Sequence, residues 1–87
     1  MIDQKQPELE FPVDCHFKVI AEKLDGIAFV IETVLLGLGV TSPLTAGNES
    51  KGGKYVTFNV TVRVDSREQM NRIDAELRNV QGVKMVL

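Results

Sequence analysis

The sequence predicts an α+β sandwich in the order βαββαβ, with four antiparallel strands in one sheet and two helices on one of its faces. Three observations predict it. Apolar and polar residues alternate strictly over 55–64 and nearly so over 15–22. Apolar residues recur at helical spacing over 27–38 and again over 70–80. Glycine-bearing turns separate these stretches. Period 2 marks a half-buried strand and period 3.6 a helix with one apolar stripe, so such a chain has two stripes to bury on one sheet.

The first strand runs from Cys15 to Glu22. Cys15, Phe17, Val19 and Ala21 fall on the core side; His16, Lys18 and Glu22 fall outside, and Ile20 interrupts the polar side. Lys23-Leu24-Asp25-Gly26 is a turn, in which Asp25 is expected to cap the next helix. Ile27, Val30, Ile31, Val34, Leu35 and Leu38 form that helix's stripe, and Gly37 and Gly39 end it. Phe29 and Leu36 stand seven apart on the opposite side. Thr41–Asn48 carries Pro43, which cannot donate to a ladder, and reads as an edge strand. Ser50-Lys51-Gly52-Gly53-Lys54 is a loop.

Tyr55–Val64 is the clearest strand, with Val56, Phe58, Val60, Val62 and Val64 inward. Ser66-Arg67-Glu68-Gln69 fits a capping box, Gln69 reaching back to the cap. Met70, Ile73, Leu77 and Val80 stripe the second helix, with Glu68 and Arg72 as a supporting i, i+4 pair. Gln81-Gly82 stops it, and Val83–Leu87 is a short last strand. This order of elements is the ferredoxin-like arrangement, in which the first and third strands are central and the second and fourth are edges.

Composition bounds the function. Eighty-seven residues make one domain, expected over residues 9–87 with residues 1–8 as a mobile tail. One cysteine cannot make an intramolecular disulfide. Ten basic and twelve acidic residues give a net charge of −2, so there is no general pull toward nucleic acid or an anionic membrane. The N-terminus lacks the basic start and apolar run of a signal peptide, and the apolar stretch around 27–40 is too interrupted to span a bilayer. A soluble, cytoplasmic protein is expected.

The chemistry-bearing residues are few. Cys15 and His16 have no second of their kind, so the ligand count of structural zinc is not met and no metal or cofactor is expected. As strand neighbours they diverge, Cys15 to the core and His16 to the surface. Val80-Gln81-Gly82-Val83 echoes an acylphosphatase loop, but it lies between the second helix and the last strand with no arginine after it. Lys51, Gly52, Gly53 and Lys54 could nest an anion or simply keep a hairpin loop soluble. The outer strand faces offer one base-stacking aromatic, Tyr55.

Several segments carry a family likeness: Leu9-Glu10-Phe11-Pro12, Phe17-Lys18-Val19, Ser50 with Gly53 and Tyr55, Glu68-Gln69, and Met85-Val86-Leu87. In their order along the chain they resemble the YbeD-like family of small uncharacterised bacterial proteins, with Ala21 departing where a glycine is expected. The resemblance implies a ferredoxin-like fold, a similarity to ACT regulatory domains and no catalytic residues. ACT domains hold small effectors at a strand-to-helix turn of Asp or Asn, Pro-Gly and an aliphatic residue. Leu24, Asp25, Gly26 and Ile27 occupy that place here without the proline, as an effector turn or as an ordinary helix start.

The reading that follows is a non-enzymatic binding or regulatory module. Its expected partner is an unidentified protein or a second copy, met through Phe29 and Leu36 or through the edge strands 41–48 and 83–87, with room for a small effector. The alternatives are a phosphate-handling enzyme of the acylphosphatase kind, dependent on Lys51, Lys54 or Arg63, and an RNA-binding module dependent on Tyr55.

Overall fold

A computed structural model describes residues 10–49 and 52–87. The expected tail at 1–8 and the loop residues Ser50 and Lys51 lie outside the described residues. The elements are β1 (Val13–Glu22), α1 (Ile27–Gly37), β2 (Thr45–Glu49), β3 (Tyr55–Val64), α2 (Arg67–Arg78) and β4 (Val83–Val86). They form one antiparallel sheet in the order β2-β3-β1-β4, with β1 and β3 central, as the alternation requires.

β1 and β3 pair over their full ten residues, from Val13 opposite Val64 to Glu22 opposite Tyr55. The register puts Phe17, Val19 and Ala21 on the same face as Val56, Phe58, Val60, Val62 and Val64, and all are buried. Ile27, Ile31 and Leu35 of α1 and Ile73 and Leu77 of α2 close over them. Cys15 is half-buried at the margin of this core and His16 is exposed on the other face.

Several expectations need correction. β1 starts two residues earlier than expected, at Val13. The second strand is shorter than 41–48 and lies later; Pro43 precedes it in the connection from α1. Asp25 does not cap α1. The carbonyl of Leu24 accepts from the N–H of Ile27 at 3.1 Å, and Gly26 at φ 77°, ψ 4° is the N-cap with no side-chain bond. These angles belong to the third position of a type II turn, which glycine fills without steric cost. Asp25 is thereby held in the turn, one residue short of the capping position.

Val30 also leaves the core: it is 45% exposed, because it sits about 100° round the helix from Ile31. At the other end α1 runs through Gly37. The N–H of Val40 reaches the carbonyl of Leu35 at 2.9 Å and that of Gly39 reaches Leu36 at 3.0 Å, a Schellman closure.

α2 follows its capping signal with one shift. Ser66 Oγ accepts from the N–H of Gln69 at 3.1 Å, but Gln69 Oε1 accepts from Asp65, not from the cap, at 2.6 Å. No ion pair joins Glu68 to Arg72; the i, i+4 pair on this helix is Asp74–Arg78, at 2.8 Å. No helix among the described residues is long and apolar enough to cross a membrane.

Candidate functional site

Three places were expected to carry function: the turn before α1, the outer face of α1, and the glycine–lysine loop. The structure joins the first to the third. The N–H of Lys23 bonds to the carbonyl of Lys54 at 3.0 Å, which ties the β1–α1 turn to the hairpin between β2 and β3. Between them lies an open depression of about 420 Å³ lined by Glu22, Lys23, Leu24, Gly53, Lys54 and Tyr55. Leu24 enters this lining; Asp25, Gly26 and Ile27 do not.

Its charges are largely matched. Lys23 pairs with Glu49 at 2.8 Å and Lys84 with Glu22 at 3.0 Å. The hydrogen bond that Lys84 donates to Glu22, together with the charge of Glu22, raises the ammonium of Lys84 above the ordinary lysine range. The turn is backed by Gly82 at φ 97°: a methyl group built there would stand 2.9 Å from Leu24 Cδ1 and 3.4 Å from Ile27 Cδ1. Gly82 is thus favoured first by its backbone angle and second by its bareness, since an added methyl group would make the half-exposed Leu24 side chain shift. The sequence showed only the first, as a helix stop.

The outer face of α1 is apolar and open. Phe29 is 71% and Leu36 63% exposed, and Val30 extends the patch on one flank. Glu32 is the only charged residue in this helix. The hydroxyl of Thr33, between the two large side chains, donates to the carbonyl of Phe29 at 2.8 Å, so it brings no unsatisfied donor to the surface. Beside Leu36 a shallow groove of about 210 Å³ is lined by Glu32, Leu35, Val40, Thr41, Ser42 and Pro43. Val40 and Pro43 were missed as site residues, since only the Schellman closure turns them back against the helix end.

Among the described residues, those named for the alternatives are not gathered. Lys54 and Arg63 stand at opposite ends of β3, roughly 30 Å apart at 3.3 Å per residue. Arg63 pairs with Asp14 at 3.3 Å. Tyr55 is half-buried at the end of β3 and has neighbours of its own. Cys15 is held as a thiol above its ordinary range, by burial first and by the charge of Asp14 second, the opposite of an activated nucleophile. His16 places Nδ1 3.1 Å from Thr61 Oγ1 and Nε2 3.2 Å from Asn59 Oδ1, on the face away from Cys15. Among the described residues no group of three or more His, Cys, Asp or Glu could hold a metal.

Comparison with known proteins gives this geometry a setting. A family model described as "Protein of unknown function (DUF493)" matches residues 6–87. A UPF0250 protein of Shewanella piezotolerans is 33% identical over 88 residues, covering all of both chains. The solution structure of protein HP0495 from Helicobacter pylori superposes with a TM-score of 0.84 at 25% identity, covering 98% of this chain and 91% of that one. The ACT domain from the GTP pyrophosphokinase of Chlorobium tepidum superposes with a TM-score of 0.66 at 23% identity, covering 85% and 94%, a likeness of fold. With its family model matched almost end to end and its ferredoxin-like sheet shared with these structures, the chain belongs to the DUF493, or UPF0250, family of small bacterial proteins.

Proposed function

We propose that this protein is a non-enzymatic binding module that regulates through a protein partner docked on the outer face of α1. The observation that carries the reading is the exposure of Phe29 and Leu36 on a helix with a single charge. Contiguous apolar surface on a small soluble domain is where partners bind, because covering it releases ordered water at about 25 cal/mol per Å². The groove beside Leu36 takes one apolar side chain, and Glu32 on its rim favours a basic neighbour. The partner is therefore a protein surface presenting an apolar residue next to Lys or Arg.

Phe29→Ser with Leu36→Ser tests this. The double variant keeps its amide spectrum, and binding partners retained by the original protein on an affinity column are lost. Equal retention by both proteins rejects the reading.

A small effector is a second part of the proposal, supported by the turn at Leu24-Asp25-Gly26-Ile27 and the depression that Leu24 shares with Gly53 and Lys54. Titration with amino acids and related metabolites is expected to shift the amides of Leu24, Asp25, Gly26 and Lys54. A panel that produces neither heat nor shifts removes the effector and leaves the α1 surface as the whole of the function.

A further inference from the structure

β4 is an edge of the described sheet, and one side chain holds its outer flank. Lys18 and Leu87 exchange both main-chain bonds, at 3.0 and 2.8 Å, so the main-chain groups of Leu87 face β1. Groups along an antiparallel strand alternate, so those of Val86 point the other way, to the outer flank. There the carbonyl of Val86 is already taken: Arg78 Nη2 donates to it at 2.7 Å. Arg78 ends α2, whose Ile73 and Leu77 pack on the inner face of the sheet, so its guanidinium reaches round the strand from below. Its Nε donates to Asp74 Oδ2 at 2.8 Å, one turn back on the helix, which fixes the direction of the fork.

The rest of the strand is irregular. Ile20 lies opposite Met85 but Ala21 lies opposite Val83, so the register slips at Lys84, whose ammonium turns back to Glu22 at 3.0 Å. Over the regular stretch Met85–Leu87, Val86 is the residue whose main chain faces outward. Outward N–H and C=O groups on an edge are a template for another strand. The self-complementary addition is a second copy whose β4 runs antiparallel about a two-fold axis. The axis would pass between the two Val86 residues, and each Val86 N–H would seek the Val86 carbonyl of the other copy. Both bonds end on the acceptor that Arg78 holds. A bond from a guanidinium is roughly twice as strong as one between neutral groups, so an incoming amide does not displace it.

We propose that Arg78 guards the outer edge of β4: by occupying the Val86 carbonyl it keeps a second copy from extending the sheet. Asp74 is the positioning residue, since it anchors the guanidinium that makes the contact. The sequence leaves 83–87 open to a second copy; with Arg78 in place that route is shut. The slip at Lys84 shortens the edge, and Arg78 closes what remains of it. The proposal is independent of what docks on α1.

Sedimentation equilibrium of the full chain, with amide hydrogen exchange at Val86, tests it. In the original protein the Val86 amide exchanges faster than that of Leu87, which is bonded to Lys18, and does so at every protein concentration. Arg78→Ala associates at least about ten-fold more tightly than the original, and its Val86 amide slows as concentration rises. Asp74→Ala leaves the arginine in place but unanchored. It shows the same two changes to a smaller extent, and it carries the test should Arg78→Ala fail to fold. Variants that associate no more than the original overturn the proposal. So does association without slowing at Val86, which places the contact elsewhere. Slow exchange at Val86 in the original protein overturns it as well, because a strand would then lie on this edge with Arg78 intact.

Discussion

The two helices of this domain pack on the same sheet, yet they are written differently. α2 has Ser66 as a bonded cap, Glu68 in its first turn, Arg78 in its last, and an Asp74–Arg78 pair. Arg78 also donates to the carbonyl of Val86 at 2.7 Å, tying the helix end to the last strand. α1 has no side-chain cap, no acidic residue in its first turn and no basic residue in its last. It is held by its buried stripe and by the backbone turns at each end. Where α2 meets water it shows charge; where α1 does, it shows Phe29, Val30 and Leu36. A helix that stands on burial alone can leave its outer face free for another use, and that is the physical content of the proposed docking surface.

Substitutions can break or sharpen this contrast. The largest effect is expected where the helices are alike. Ile31→Ala and Leu77→Ala each delete a fully buried side chain and should cost about 2–5 kcal/mol, read from the urea midpoint. A much smaller loss for Ile31 would mean that α1 is not held by its stripe.

Gly82→Ala comes next. A left-handed alanine costs about 1–2 kcal/mol, and its methyl group meets Leu24 besides. This substitution couples the end of α2 to the start of α1, so amide shifts at Leu24 and Ile27 should accompany the loss. Ser66→Ala should then cost about 1 kcal/mol, while Asp25→Ala, the residue that resembles a cap in the sequence, should cost almost nothing. Equal losses at these two positions would erase the difference between the helix starts.

Phe29→Ser and Leu36→Ser should have the smallest effect on stability, within about 0.5 kcal/mol each, because neither is buried. A loss of several kcal/mol by thermal or urea unfolding would show them to be part of the core. The docking surface would then disappear with them.

The fold was legible because the strongest patterns are local. Tyr55–Val64 alternates without a fault, and a register shift of one residue would turn five core residues into water. Ser66 and Gln69 announced the start of α2 in the same way, although Gln69 found Asp65 in place of the cap. Asp25 misled because Asp before an apolar run is a general helix signal, whereas the left-handed Gly26 belongs to a turn whose angles no composition rule reports. Pro43 correctly marked an edge but was assigned to the strand and not to the approach before it. The candidate site was legible only as separate pieces. Phe29 and Leu36 could be seen on one line of a helix. That Val40 and Pro43 fold back beside them, or that Leu24 shares a depression with Lys54, depends on contacts between residues distant in the chain.

Periodicity alone determined that two helices cover one side of four strands, because period and turn chemistry are properties of neighbouring residues. Only the tertiary structure decided that Val30 leaves the predicted stripe for the surface beside Phe29 and Leu36, and that the described pairing of β1 with the last residues of the chain ends at Lys18. Exposure is a remainder, set by what the rest of the chain fails to reach, and no local stretch of sequence contains it.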